Sequence, residues 1–473
     1  MKEYDLIVVG TGSAMNLVEP LIESNPRMKI AVIDKDEPGG ICLTRGCIPS
    51  KIMLYPAELV RTLERAGDLG IHVDLKEVDF PMVMERMRTL IYRDINAIRE
   101  GLSNSPNIDY YNSVAEFVSP YTMSVGGETI HAKMIFLCLG SGPVIPPVAG
   151  LEEAGYLTSD SVIGMTALPR SLTVIGGGYI AAEYGHFFSA MGSKVTIVGR
   201  NPRFLPEEEP ELSELVRKEL ASHMEIFTDF EAVRAERTQS GQKRLVARDR
   251  KTGAEQAFES DEILVAAGRG SLSHLIHPER AGIETTANGW ITVNEYLETS
   301  QPNVWSFGDA IGKYLFKHAA NYESGIVYQN LILKKRVKAD YRVMPHAVFT
   351  YPEVASVGLG EKAAVERYGD RVLVGFYRYE DTAKGEAMNV SGYFVKAIID
   401  AETQSILGAH IVGPEASVLI QEIINVMHAS EGSARTVGEA IHIHPSLSEV
   451  VERAFQNLLP AEHYHEHVLG ETL

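Results

Sequence analysis

The sequence predicts an α/β protein built on two similar strand–turn–helix–strand units, followed by an α+β domain. Three observations carry that prediction. Two stretches, Tyr4 to Asp34 and Ser171 to Arg200, each run apolar strand, Gly-rich turn, helix, apolar strand. From Pro345 onward the texture changes to strand-like runs followed by a helix. The length, 473 residues with 45% hydrophobic and 23% charged side chains, suits several ordinary globular domains.

In the first unit, Leu6-Ile7-Val8-Val9 is the strand, Gly10-Thr11-Gly12 the turn, and Ile30-Ala31-Val32-Ile33 the second strand, ending in Asp34. Such a turn brings backbone N–H groups and a helix N-terminus to a pyrophosphate, and a carboxylate at the second strand end holds a ribose hydroxyl. Gly10, Gly12 and Asp34 fit that scheme, but Met15 replaces the third glycine, which serves close helix–strand packing. A βαβ unit without ligand is the alternative. Periodicity over Phe80 to Leu102 predicts a helix packed on this unit. Pro143-Val144-Ile145-Pro146-Pro147 is expected to be a linker.

The second unit is complete. Leu172-Thr173-Val174-Ile175 enters Gly176-Gly177-Gly178, with Ala181 in third position, and Val195-Thr196-Ile197-Val198 follows. This strand ends in Gly199-Arg200, with Arg203 close behind, instead of a carboxylate. A guanidinium suits bidentate phosphate binding, so a dinucleotide with a 2′-phosphate is expected: NADPH, with NADH possible. The alternative is two solvated surface charges. Beyond Pro345, strands are expected at Ala347–Thr350, Phe394–Ile399 and Leu407–Val412, and a helix over Ser417–Met427.

Composition narrows the function. The net charge of −19 disfavours nucleic acid and anionic membranes as partners. Leu6–Val9 is too short for a signal segment and no run of apolar residues is long enough to span a bilayer, so a cytoplasmic protein is expected. Three cysteines cannot form a disulfide scaffold. In a reducing compartment the close pair Cys42 and Cys47 points to catalysis, and a helix start near Cys47 would stabilise its thiolate. The alternatives are a zinc half-site, which lacks a second Cys/His pair, or two buried thiols. Cys138, in the apolar stretch Met134 to Leu139, is expected to be a core thiol.

The segment Gly39-Gly40-Ile41-Cys42-Leu43-Thr44-Arg45-Gly46-Cys47-Ile48-Pro49-Ser50-Lys51 resembles the redox-active motif of the class I pyridine nucleotide–disulfide oxidoreductases. The resemblance runs through essentially the whole chain. Gly176 to Glu183 resembles the family's NAD(P) fingerprint, and Val265-Ala266-Ala267-Gly268-Arg269 the end of its NAD(P) domain. Ser306-Phe307-Gly308-Asp309 resembles its second flavin motif, Pro345 to Gly358 the opening of its dimerisation domain, and His442 to Glu449 its C-terminal catalytic motif.

The resemblance implies two Rossmann-like domains, for FAD (1–150) and NAD(P) (151–275), a central segment completing the FAD domain (276–344) and a dimerisation domain (345–473). It implies FAD on Gly10, Gly12, Asp34, Ala115, Gly140, Asp309 and the backbone of Lys317, with Lys51 beside the flavin and paired to Glu183. Tyr179 would cover the flavin. Gly176, Gly178, Glu183, Arg200, Arg203, Val233 and Gly268 would serve the nicotinamide nucleotide. Cys47 would face the flavin and Cys42 would exchange with the substrate. His444, from the partner subunit of a homodimer and oriented by Glu449, would be the acid/base.

Disulfide exchange itself needs a proton donor for the leaving thiol, and a histidine with a carboxylate partner supplies one. The alternative is a packed histidine before Pro445; His442 is expected to be structural. The alternating His463, His465 and His467 suggest a weak metal site or a dimer-facing tail; no metal is expected in the active site. Among subfamilies, the presence of Cys47 argues against the soluble transhydrogenases, and a C-terminus without cysteine against mercuric reductases. Gly199-Arg200 sides with NADPH-dependent reductases of low-molecular-weight disulfides over the NAD-linked dihydrolipoamide dehydrogenases, the alternative. Gly10-Thr11-Gly12-Ser13 and Leu315-Phe316-Lys317-His318-Ala319-Ala320-Asn321 look most like the mycothione reductase branch.

Overall fold

In the computed structural model, which describes residues 1–429 and 432–465, the first apolar run becomes the strand Lys2–Val9 at the heart of a seven-stranded sheet. It lies parallel to Ile30–Asp34 on one side and Glu128–Leu137 on the other. The central residues Leu6–Val9, Ile30–Ile33 and Ile135–Leu137 are buried on both faces, which is why these stretches read as apolar runs. Ile108–Asn112 extends one edge, and the hairpin Ala115–Ser119/Thr122–Val125 the other. Val304–Ser306 also pairs with Glu128–Leu137, so the chain returns to this sheet after building the second one.

The second sheet repeats the design. Ser171–Ile175 sits between Lys194–Val198 and Glu262–Val265, all parallel. Glu225–Phe227 and Leu157–Thr158 form its edges, and an antiparallel three-stranded sheet (Phe230–Arg237, Lys243–Asp249, Glu255–Ser260) is attached. The stretch expected to be a plain linker is partly paired: Ser141–Pro143 forms an antiparallel ribbon with Arg269–Ser271. The outgoing and returning crossings between the sheets thus satisfy each other's backbone groups, with Val144 N–H on the Gly268 carbonyl at 2.9 Å.

The helix expected over Phe80–Leu102 runs Phe80–Asn104. Asp79 caps it through the Met82 N–H at 2.8 Å, and Phe80, Met84, Met87, Ile91 and Ile95 form its buried stripe. The C-terminal domain is a six-stranded sheet in the order Pro345–Val348, Val354–Gly358, Ile406–Val412, Phe394–Asp400, Val372–Arg378, Leu458–Pro460, covered by helices Ala416–His428 and Ser448–Gln456. The strand expected at Ala347–Thr350 stops at Val348, because the Phe349 N–H leaves the ladder for the Glu183 carboxylate at 3.1 Å.

This domain grips the second sheet's unit through a dry ionic cluster. The Lys396 ammonium, 1% exposed, lies 2.6 Å from Glu209, 2.5 Å from Glu211 and 2.6 Å from Glu361. The three carboxylates outweigh burial and push the lysine pKa up. Tyr464 is buried with its hydroxyl on Glu211 at 3.0 Å, and His465 Nε2 meets Glu361 at 2.5 Å, so the chain through residue 465 folds onto its own subunit. His467 lies outside the described residues. No helix among the described residues is long and apolar enough to cross a membrane.

Candidate active site

The two Gly-rich turns use one steric device. Gly10 has φ +103°, and a Cβ there would lie 2.1 Å from the Cys138 carbonyl oxygen. Gly176 has φ +144°, and a Cβ there would lie 2.2 Å from the Ala266 carbonyl oxygen. In each unit the turn presses on a carbonyl just past the end of a neighbouring parallel strand, Glu128–Leu137 or Glu262–Val265, and only glycine fits. Met15 opens the helix Met15–Ser24, which has no side-chain cap; its first N–H groups turn back on the Gly12, Ser13 and Ala14 carbonyls at 3.2, 3.2 and 3.0 Å, and its positive dipole end faces the turn. Asp34 accepts from the Thr11 N–H at 2.9 Å and the Thr11 hydroxyl at 2.5 Å, so it braces the turn as well as facing the cavity.

A cavity of about 1200 Å³ runs from Asp34 past Gly10, Gly12, Ala115 and Gly140 to the cysteines. Asp309 and Lys317 line its middle. Asp309 takes the Ser141 hydroxyl at 2.5 Å, Ser141 in turn accepts from Arg269 Nε at 2.7 Å, and burial pushes the Asp309 carboxyl up. Lys317 begins the helix Lys317–Leu331 and donates to the Ser13 hydroxyl at 2.9 Å. An elongated cavity, a glycine turn at its wall, a helix N-terminus and a carboxylate at the strand end together fit an extended dinucleotide.

Cys42 lies in the short helix Gly40–Thr44 and Cys47 is the first residue of the helix Cys47–Arg65; both are free thiols. Their environments separate them. The Cys42 thiol hydrogen-bonds Cys47, and that bond, opposed by burial and helped by the Lys51 charge, brings Cys47 down to about 7. The same bond and burial push Cys42 up. The negative charge therefore settles on Cys47, at a helix N-terminus. Lys51, one turn on, is 2.8 Å from Glu183 and lies over the Phe349 ring at 4.5 Å. Tyr179, one turn before Glu183 on the helix Tyr179–Met191, lines the same cavity; burial raises its hydroxyl to about 12.

Arg45, between the two cysteines, was not singled out by motif. Its guanidinium, 16% exposed, reaches Asp36 at 2.5 Å and Asp160 at 3.1 Å. Asp36 follows the ribose-side strand and Asp160 belongs to the second sheet's unit, so one side chain ties the cysteine loop to both. Losing one tie lets the loop drift, and small misplacements of reacting groups are costly. Arg45→Met is expected to lower kcat about tenfold with the fold intact. Asp160→Asn should do the same with little added effect in the double variant, as steady-state kinetics of all three would show.

The remaining predicted residues lie elsewhere. Gly178 caps Tyr179–Met191; Gly268 opens the crossing ribbon; Val233 accepts from the Ala149 N–H at 3.2 Å, beside a bulge. Arg200 and Arg203 are exposed just past the C-terminal end of the strand Lys194–Val198. Cys138 packs against the hydrophobic core of the first domain, as expected, and burial pushes its thiol up; it lies just past the strand end at Leu137, where the core meets the cavity wall, its N–H on the Val9 carbonyl at 2.8 Å. His442, packed between Glu422 at 3.5 Å and Glu452 at 3.8 Å, is 8% exposed.

His444 Nδ1 is 2.9 Å from Glu449, which is buried and also takes the Ser446 N–H at 3.1 Å. These contacts hold the Glu449 carboxyl below the usual range. The His444 side chain is 70% exposed and does not line the cavity of its own chain; Ile441 and Ile443 beside it are exposed as well.

Comparison with known proteins agrees with this arrangement. The profile of the family described as pyridine nucleotide-disulphide oxidoreductase matches residues 4–325, and the profile of its dimerisation domain residues 344–455. Mycothione reductase of Mycobacterium tuberculosis is 34% identical over 469 residues, covering 97% of this chain and all of that protein. A dihydrolipoyl dehydrogenase of Chlamydia pneumoniae is 32% identical, covering 95% of each chain. Among solved structures, the Cu(II) complex of the HOCl-induced flavoprotein disulfide reductase RclA from Escherichia coli superposes with a TM-score of 0.85 at 27% identity, covering 96% of this chain and 99% of that one. With two nucleotide-type units, a cysteine pair beneath them and the dimerisation domain in place, the chain belongs to the pyridine nucleotide–disulfide oxidoreductases, a family of FAD- and nicotinamide nucleotide-dependent enzymes.

Proposed function

We propose that the protein is a homodimeric, NADPH-dependent reductase of a low-molecular-weight disulfide. The observation that carries this reading is the separation of the two thiols in one cavity: Cys47 is stabilised as thiolate beside Lys51, and Cys42 remains the protonated partner. Bound FAD, held by Gly10, Gly12, Asp34, Asp309 and the Lys317 backbone, would supply the two-electron link between nicotinamide and sulfur.

The protein's own residues then carry the thiol chemistry. With the pair reduced, Cys42 gives up its proton and attacks the substrate disulfide; a Cys42–substrate disulfide forms and one thiol leaves, protonated by His444. Cys47 attacks Cys42, releasing the second thiol and closing the Cys42–Cys47 disulfide. Two electrons from NADPH, which becomes NADP⁺, reopen it. Lys51, anchored by Glu183, holds positive charge next to Cys47, and Tyr179 shields the cavity until the nicotinamide arrives. The 34% identity to a mycothione reductase supports a small thiol substrate.

The NADPH preference rests on Arg200, two residues past the end of Lys194–Val198, where a carboxylate would hold the ribose of NADH, and which no carboxylate pairs with among the described residues. One charge-assisted contact predicts a kcat/KM for NADPH about 10- to 100-fold above NADH, a gap that Arg200→Met should close. Steady-state turnover of a disulfide panel with each nucleotide, against dihydrolipoamide with NAD, tests the reading. Fast dihydrolipoamide oxidation with NAD alone would overturn it in favour of a dihydrolipoamide dehydrogenase, the activity named for the 32% identical relative.

A further inference from the structure

We propose that Arg250, far from Arg200 in sequence, is a specificity-determining residue for the 2′-phosphate of NADPH; this rests on the NADPH reading above. Arg250 opens the turn between Lys243–Asp249 and Glu255–Ser260 in the attached three-stranded sheet. That turn is rigid. Asp249 takes the Lys251 and Thr252 N–H groups at 2.7 and 3.1 Å, and the Gly253 N–H meets the Asp249 carbonyl at 2.8 Å. The Arg250 N–H is fastened to the Asp229 carbonyl at 2.7 Å, and its Nη1 donates to the backbone carbonyl of Arg200 at 2.9 Å. The Arg200 segment is stitched to the same place, through Asp229 N–H to Asn201 O at 2.9 Å and Phe230 N–H to Gly199 O at 3.0 Å.

The Arg250 guanidinium is thereby anchored on the backbone of Arg200, and neither arginine is paired to a carboxylate among the described residues. The neighbouring Lys251 differs: its ammonium is 2.6 Å from Asp229 and its charge is spent. In a chain with 63 acidic and 44 basic side chains, a guanidinium fixed beside a second unpaired arginine is unfavourable by itself and is relieved by a bound dianion. The site lies at the end of the second strand of a βαβ unit, where a dinucleotide presents its adenosine ribose. A 2′-phosphate monoester supplies that dianion; a free 2′-hydroxyl does not.

Calorimetric titration of the intact holoenzyme with adenosine 2′,5′-bisphosphate and with 5′-AMP tests this without turnover. The wild-type protein is expected to bind the bisphosphate more tightly. Arg250→Met should weaken the bisphosphate about tenfold and leave 5′-AMP unchanged, with Arg250→Lys in between. If the wild-type preference is present and Arg200→Met removes it while Arg250→Met does not, the inference about Arg250 is wrong and the NADPH reading stands. If the wild-type protein shows no preference, the NADPH reading fails and the inference with it.

Discussion

Cys47→Ser is expected to abolish disulfide reduction, with kcat falling on the order of 10³-fold or more, while FAD stays bound. Serine cannot close the ring with Cys42, so the electron path to the substrate is cut at its first sulfur. The substitution is nearly isosteric at the first turn of Cys47–Arg65, so folding and the cavity should be unaffected. In the wild-type protein reduced by two electrons, the Cys47 thiolate should show as long-wavelength absorbance against the flavin. With Cys47 near 7, that absorbance should be present above neutral pH and fade as pH falls through about 7. Lys51→Met removes a charge that lowers this value, so the midpoint should move to higher pH. If Cys47→Ser keeps both turnover and absorbance, the assignment of the cysteine pair is wrong.

His444→Ala is expected to cost about 10²- to 10⁴-fold in kcat, the usual contribution of general acid–base catalysis. Glu449→Gln should cost less, since it leaves the imidazole in place but loosens its orientation. The placement of His444 adds a sharper outcome. Its ring is turned to solvent and absent from the cavity of its own chain. If it serves the partner's cysteines, mixing inactive Cys47→Ser and His444→Ala subunits must restore activity, because one site of each heterodimer is then intact. Activity that stays lost after subunit exchange, verified by native mass spectrometry, would exclude the trans arrangement.

Much of this protein was legible in local sequence. The two Gly-rich turns were readable because a positive φ pressed against a carbonyl admits only glycine, and Gly10 and Gly176 sit in that position. The helix at Phe80–Asn104 was readable from its apolar period, and the strands from their unbroken aliphatic runs. The Cys42–Cys47 spacing and the His444–Glu449 pair are also local: in each, a few residues of chain bring both groups together.

Local pattern fell short where a neighbour from far along the chain decided. Ala347–Thr350 looked like strand, yet its end was captured by Glu183 across the domain junction. Cys138 does pack on the core, as its apolar stretch implied, but its place on the cavity wall came from the sheet ending one residue earlier. The stretch 143–147 does link the two sheets as expected, but its first residue belongs to a strand whose partner, residues 269–271, lies far along the chain.

By itself, then, the sequence determined the repeated βαβ units, the cysteine loop, the histidine–carboxylate pair and the arginine at the second strand end. Each follows from steric and periodic rules that act within one turn or one strand. The Lys51–Glu183 pairing was legible only through the family resemblance, and only the tertiary structure decided the others: Asp36 and Asp160 on Arg45, Arg250 against Arg200, and three carboxylates around Lys396. The physical reason is that such pairings depend on strand order and domain packing, which bring together groups separated by up to hundreds of residues. Nothing in the local pattern of either partner encodes the other.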